Sequence, residues 1–251
     1  MDVHVKLDLA ESRGEREVDP KGYQAIVGSF MYIALATRPD ISYAVSVLSR
    51  YSSHPFTSHL TAAKRVLRYL KTTAHHRLHF GDSSSGSSGG GGSGSRKLTG
   101  YTDSGWANDS KDRRSQGGHV FIVSSGAVSW QSRKQDLIAA STLEAEYITC
   151  SEASREARWL QRLQRDIEDQ PDGRIDEPLP VYTDSQGALT HITAGITKAR
   201  TKHIDVCNRL HARAIVRYDY INTNDNPADI LTKALPREKH EKFTRAMRVR
   251  P

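Results

Sequence analysis

The chain has 251 residues, with 36 lysines and arginines against 29 aspartates and glutamates, a net charge of +7, a pI near 9.4 and a mean hydropathy of −0.60. That length allows one or two domains, and the basic balance favours a polyanionic partner such as nucleic acid. No run of apolar residues is long enough for a membrane-spanning helix, and two cysteines far apart, Cys150 and Cys207, exclude a zinc-finger spacing and a disulfide framework and suggest a reducing compartment.

Residues 1–19 form a charged tail without the apolar stretch of a secretory leader, so a cytoplasmic or nuclear location is expected. Residues 20–80 read as a small helical segment. Tyr23, Ile26, Val27, Phe30, Met31 and Ala34 fall on one helical stripe, Pro39 interrupts it, and Ile41, Ala44, Val45, Leu48 and then Ala62, Ala63, Val66, Leu67, Leu70 repeat the pattern. Between Arg38 and Arg77 the cations outnumber the single acid, Asp40. This is either a solvated helix face or a surface for a phosphate backbone, with Arg65 and Arg68 as candidate contacts. Residues 81–96 contain GDSSSGSSGGGGSGS, a flexible linker by composition that is expected to tether without orienting.

From 97 to 251 strands and helices alternate. Lys97–Thr102 predicts a strand, and Gly118–Val123 with Ala127–Gln131 predicts a hairpin. A long helix follows Ser141, with Tyr147, Cys150, Ala153, Ala157, Leu160 and Ile167 on its apolar stripe. Leu179–Thr183 predicts a strand and Ser185 opens a short helix. A helix around 204–216, a strand at 218–223 and a helix from Pro227 complete the order. The expected architecture is α/β, a mixed sheet with helices packed against it.

The tetrapeptide YTDS occurs twice, at 101–104 and 182–185, and places Asp103 and Asp184 at strand ends. Each aspartate alone fits an Asx-turn or a helix cap. Glu144 fits a capping box with Ser141, and Asp229 fits a helix-dipole carboxylate. Glu146 lies about 200° round the helix from Glu144, so the two glutamates cannot serve one site. Taken together, four acids at element ends would repel one another unless cations sat among them. Oxygen ligands with no histidine or cysteine cluster point to Mg²⁺, two ions, or Mn²⁺, in phosphodiester hydrolysis. Ser104, Ser185 and Gln186 sit beside the aspartates, positioned for sugar or phosphate; capping is the alternative for the latter two. Further cations, Lys202 among them, cluster after the fourth strand. Trp106, Trp130 and Trp159 read as core.

The stretches LTGYTDSGWAND, DRRSQGGHVFIVSSGAVSWQSRKQ, STLEAEYITCSEASREARWL, VYTDSQGAL, ARTKHIDV and NPADILTKAL resemble the ribonuclease H domain of copia-type LTR retrotransposons. The helical segment resembles the thumb and connection region of their reverse transcriptase. The resemblance implies a ribonuclease H-like mixed five-stranded sheet flanked by helices. It aligns Asp103, Glu144, Asp184 and Asp229 with the catalytic and metal-binding acids, choosing Glu144 over Glu146. It also implies cleavage of the RNA strand of RNA–DNA hybrids, and the remaining reverse-transcriptase domains as partners. His203 matches the family as a structural or phosphate-contacting residue. No YxDD pair is present, so no polymerase activity is expected. The stretch VCNRLHARAIV is about one helical turn shorter than the family's, a rotation of roughly 40° if about four residues are lost. An inactive, decaying nucleic-acid-binding relic is the rival reading.

Overall fold

The computed structural model describes residue 7 and residues 14–81, 97–109, 111–167, 177–195 and 206–251. Most of the 1–19 tail, linker residues 82–96, and the candidate contacts Lys202 and His203 lie outside the described residues. No described helix is long and apolar enough to cross a membrane.

The helical segment follows its predicted stripes except at Met31 and Leu67, which are exposed. The Asp19 carboxylate accepts from the Lys21 and Gly22 amides, Pro20 occupies the first turn, and α1 runs Pro20–Ala36. It buries Tyr23, Val27, Phe30 and Ala34, one face at helical spacing. A 3-10 turn at Pro39–Ile41 leads into α2 (Ser42–Ser49), and α3 spans Thr57–Thr72. The Tyr23 hydroxyl donates to the Leu48 carbonyl at 2.9 Å, so α1 and α2 share a core that is satisfied as well as apolar.

After a two-residue strand β1 (Arg77–Leu78), the second part begins with β2 (Thr99–Gly105), β3 (Gln116–Val123) and β4 (Gly126–Lys134). Helix α4 (Thr142–Ile167), β5 (Leu179–Thr183), α5 (Gln186–Thr193), α6 (Val206–Ala212) and β6 (Val216–Tyr220) follow. The five-stranded sheet has the order β4-β3-β2-β5-β6, with β4, β3 and β2 antiparallel and β2, β5 and β6 parallel. This is the mixed sheet flanked by helices that the resemblance implies. On one face α4 presents Cys150, Ala153 and Ala157, small side chains that let it lie close to Phe121 and Val181. The other face packs Val120 and Ala127 against Ile230, Leu231, Phe243 and Met247.

Three local expectations change. The helix predicted over 204–216 ends at Ala212, because β6 claims Val216 for the sheet. The helix expected from Pro227 is a 3-10 turn, Pro227–Leu231, and Pro236 separates it from α7 (Arg237–Ala246). Past α7, β7 (Val249–Arg250) pairs antiparallel with β1. The tryptophans also correct the reading: Trp106 and Trp159 are 42% and 55% exposed, and Trp130 is half-buried, donating from Nε1 to the Ala34 carbonyl at 2.8 Å.

That Trp130 bond crosses between the two parts. So does the contact of His240 Nε2 with the Asp40 carbonyl at 3.1 Å, above a buried Arg38–Asp40 pair that also receives the Tyr69 hydroxyl. The parts are therefore oriented by direct contacts, which a tethering linker alone would not supply.

Candidate active site

The two YTDS copies lie side by side. Tyr101 pairs with Tyr182 and Thr102 with Thr183 in parallel register, and the tyrosine rings stack with centroids 5.4 Å apart. Strand β5 stops at Thr183, so its parallel ladder with β2 ends there and Asp103 and Asp184 emerge together. Strand β2 continues three residues further along β3, through Asp103, Ser104 and Gly105. Glu146, in the second turn of α4, completes the group: one carboxylate oxygen from each of Asp103, Glu146 and Asp184 lies within 4.8 Å of the others.

Electrostatics make this group a poor home for three bare charges. Asp103 is 2% exposed, and burial first, then Asp229 and Asp184, push its carboxyl up to about 7 against the pull of Lys233 and the Thr232 hydroxyl. Burial, followed by Asp103 and Asp184, pushes Glu146 well above the usual carboxylate range. The Ser104 amide donates to Glu146 Oε1 at 3.2 Å, while Glu146 Oε2 is buried without a hydrogen-bond partner among the described residues. An unsatisfied buried carboxylate oxygen aimed into a three-acid cluster fits a divalent cation with oxygen ligands.

Glu144 is not in this group. Its amide donates to Ser141 Oγ at 3.2 Å and its carboxylate accepts from the Ala140 amide at 2.8 Å. That is the helix-capping role, and it corrects the choice of Glu144 over Glu146. Two residues apart on a helix, the glutamates face different directions, and the one on the buried side joins the acids. A signal was present. Glu146 lies four residues before Cys150, on the core-facing stripe of α4, where a glutamate has no ordinary reason to be.

Asp229 is fully buried beside the group but is held by cations. Lys233 Nζ lies 2.8 Å from Asp229 Oδ1 and 3.6 Å from Asp103 Oδ2, and Lys239 Nζ donates to Asp229 Oδ2 at 2.7 Å. Burial would lower the Lys233 ammonium, but Asp103 and Asp229 outweigh it and raise it. The turn carrying Asp229 is pinned to β2. Asn226 Oδ1 accepts from the Ala228 amide, its Nδ2 donates to the Thr102 carbonyl at 2.9 Å, and Thr232 Oγ1 donates to Asp103 Oδ2. Gly118 permits this approach, since a Cβ there would meet Leu231 Cβ at 2.7 Å and Thr232 Cγ2 at 2.8 Å.

Of the other predicted residues, Ser104 is half-buried with an unpartnered Oγ among the described residues. Ser185 Oγ accepts from the Ala188 amide, which is the capping role, and Gln186 is exposed in the first turn of α5 beside Asp184. Arg65 and Arg68 are exposed on α3. Asn226 and Thr232 carry no sequence motif, since a hydroxyl or amide that positions another side chain shows none, and Lys233, read from sequence as one of the basic tail's nucleic-acid contacts, lies instead on Asp103 and Asp229.

No family model matches the chain. It is 40% identical over 247 residues to the "Retrovirus-related Pol polyprotein from transposon TNT 1-94" of Nicotiana tabacum, a match covering 94% of this chain and 17% of that protein. A 138-residue stretch is 44% identical to "Secreted RxLR effector protein 161" of Plasmopara viticola, covering 55% of this chain and 90% of that one. Among solved structures it is similar to the N-terminal RNase H domain of rv2228c from Mycobacterium tuberculosis, at 14% identity and a TM-score of 0.40, over 61% of this chain and 99% of that one. The chain thus spans about one-sixth of the length of the transposon polyprotein it matches almost throughout.

Proposed function

We propose, from the premise that the chain belongs to the Pol polyproteins of copia-type transposons, that it is a metal-dependent nuclease that hydrolyses the RNA strand of RNA–DNA hybrids. The observation that carries this reading is the convergence of Asp103, Glu146 and Asp184, with Glu146 Oε2 left without a hydrogen-bond partner among the described residues. These three residues would hold a Mg²⁺ or Mn²⁺ ion. When bound, such an ion supplies the charge that activates water and stabilises a leaving 3′-oxygen.

The chain's own groups prepare that chemistry. Thr232 Oγ1 fixes one oxygen of Asp103, and the Ser104 amide fixes one oxygen of Glu146, so each carboxylate keeps its other oxygen for a ligand. Lys233 places a positive charge between Asp103 and Asp229. Asp103 and Asp229 would contribute to holding a second ion only if Lys233, which lies on both, gave way. Gln186, exposed beside Asp184, is placed to meet a sugar or phosphate of the bound strand. The rival reading, a relic that binds without cutting, gains nothing from a site whose acids are all present.

The test is cleavage of an end-labelled RNA–DNA duplex in Mg²⁺ beside single-stranded RNA and double-stranded DNA. Cutting confined to the RNA of the hybrid and abolished by EDTA is the expected result. Equal cutting of double-stranded DNA, or cutting that survives EDTA, overturns it.

A further inference from the structure

The helical segment reaches the catalytic turn through a continuous set of hydrogen bonds that none of the acids takes part in until its last member. Arg50, at the end of α2, forks. Its Nη1 lies 3.2 Å from Asp109 Oδ2, and its Nη2 donates to Gln116 Oε1. Asp109 is held from the other side by Lys134 Nζ at 2.5 Å, so the arginine meets an anchored carboxylate. Gln116 opens β3 and is 1% exposed. Its amide nitrogen uses both hydrogens, one on Ser46 Oγ of α2 at 3.0 Å and one on Ser132 Oγ of β4 at 2.9 Å. Ser132 Oγ passes its own hydrogen to the Leu231 carbonyl at 2.6 Å. Leu231 is the last residue of the 3-10 turn that carries Asp229, and the next residue, Thr232, donates to Asp103.

The directions of these bonds fix one another. Only the amide oxygen of Gln116 can face a guanidinium, so its nitrogen must face the two serines. Ser132 accepts from Gln116 and must donate onward, because the Leu231 carbonyl can only accept. The first bond is charge-assisted and the middle of the path is buried, both of which strengthen it. Arg50 fits the first position because its planar fork reaches a carboxylate and an amide oxygen together, which a lysine ammonium does not do.

We propose that Ser46, Arg50, Gln116 and Ser132 are positioning residues for the nuclease: through them the helical segment sets the 3-10 turn, and with it Asp229 and the Thr232 hydroxyl on Asp103. The helical segment is then part of the catalytic unit, not a passenger on a linker. This rests on the nuclease reading for its kinetic arm only.

The experiment uses the full chain, with Arg50→Met, Ser132→Ala, Ser132→Thr and the Arg50→Met/Ser132→Ala double variant. Hydrogen exchange is followed by mass spectrometry on peptides covering residues 227–233 and on α4 as a reference, without metal. Hybrid cleavage is measured in parallel, separating kcat from KM. Arg50→Met and Ser132→Ala should each speed exchange in the turn by about tenfold with α4 unchanged, and lower kcat by a similar factor with KM within about twofold. The double variant should be no worse than the stronger single, because both break one path. Ser132→Thr, which keeps the hydroxyl, should restore parental values. Because Ser132→Ala leaves the Arg50–Gln116 contact in place, it reports on the path even where Arg50→Met loosens the docking. Parental exchange in the turn for both single variants overturns the proposal. So does a double variant whose effects add in full, or a rise in KM at constant kcat for Arg50→Met, which would mark a nucleic-acid contact instead. A parent that does not cut the hybrid refutes the nuclease reading, and the exchange arm still decides the path.

Discussion

Two sides of the acidic cleft place the same functional group in opposite company. Asp103, Glu146 and Asp184 come from the sheet and α4, and crowd together with one oxygen left over. Asp229 comes from the 3-10 turn, fully buried, and each of its oxygens meets a lysine. The first side is tense without a cation and the second is already neutralised. A carboxylate in the right place is thus not yet a metal ligand; its partners decide.

The largest effect that would break this contrast is kinetic. Glu146→Gln should lower hybrid cleavage on the order of 10²–10³-fold, the scale of removing one preorganised electrostatic group, while Glu144→Gln, which still satisfies the capping box, should stay within about twofold. Initial rates at saturating hybrid in Mg²⁺ separate them. Equal losses would return Glu144 to the site.

A second contrast is in stability. In metal-free buffer Asp229→Asn should cost about 1.5–3 kcal/mol, since two charge-assisted bonds go, whereas Asp103→Asn should cost nothing or stabilise, because it removes a repelled charge. Urea midpoints measure both.

The pH dependence sharpens the same point. Asp103 binds its proton more tightly folded, with its carboxyl at about 7 against the ordinary 3.8, and Glu146 shifts in the same direction. Their neutral forms favour the folded state at acid pH, and that contribution is lost as pH rises from about 4 to about 7. Metal-free protein should therefore lose urea resistance over that window, and Asp103→Asn should flatten the loss. Stability that rises across the window in both proteins would refute the assignment.

The smallest effects belong to the periphery. Ser185→Ala should cost about 1 kcal/mol through the lost cap while hybrid KM stays unchanged. Removing Arg65 or Arg68 should reduce the salt slope of hybrid affinity, measured in Ca²⁺, by about 0.7–0.9 for each one that meets a phosphate.

Asp184 and Asp229 were legible in the sequence because element ends are marked by local signals, a turn and a proline, whereas Asp103, expected at a strand end, lies inside β2, which runs on to Gly105. The repeated YTDS proves to be two neighbouring strands in register, delivering two aspartates to one edge. Glu146 was legible only to a reader who weighed the helix stripe above the motif, since a run with two glutamates offers two alignments and the stripe only one. The break between the turn at Asp229 and α7 was marked by Pro236 but passed over. The pairing of Arg77 with Arg250 and the path from Arg50 to Leu231 were not legible at all. Contacts so distant in sequence depend on packing, and short polar side chains show no periodicity.

The β1–β7 ribbon changes what the glycine-serine stretch has to do. After β1, Gly81 donates its amide to the Ser124 carbonyl at 2.8 Å, at the tip of the β3–β4 hairpin. On the far side of the stretch, Thr99 opens β2 opposite Ile122 of the same hairpin. Entry and exit are thus anchored to one hairpin, at Ser124 and Ile122, two residues apart. Closing such a loop costs only about 0.6 kcal/mol more for each doubling of its length. The backbone can therefore be lengthened or shortened there with little energetic consequence.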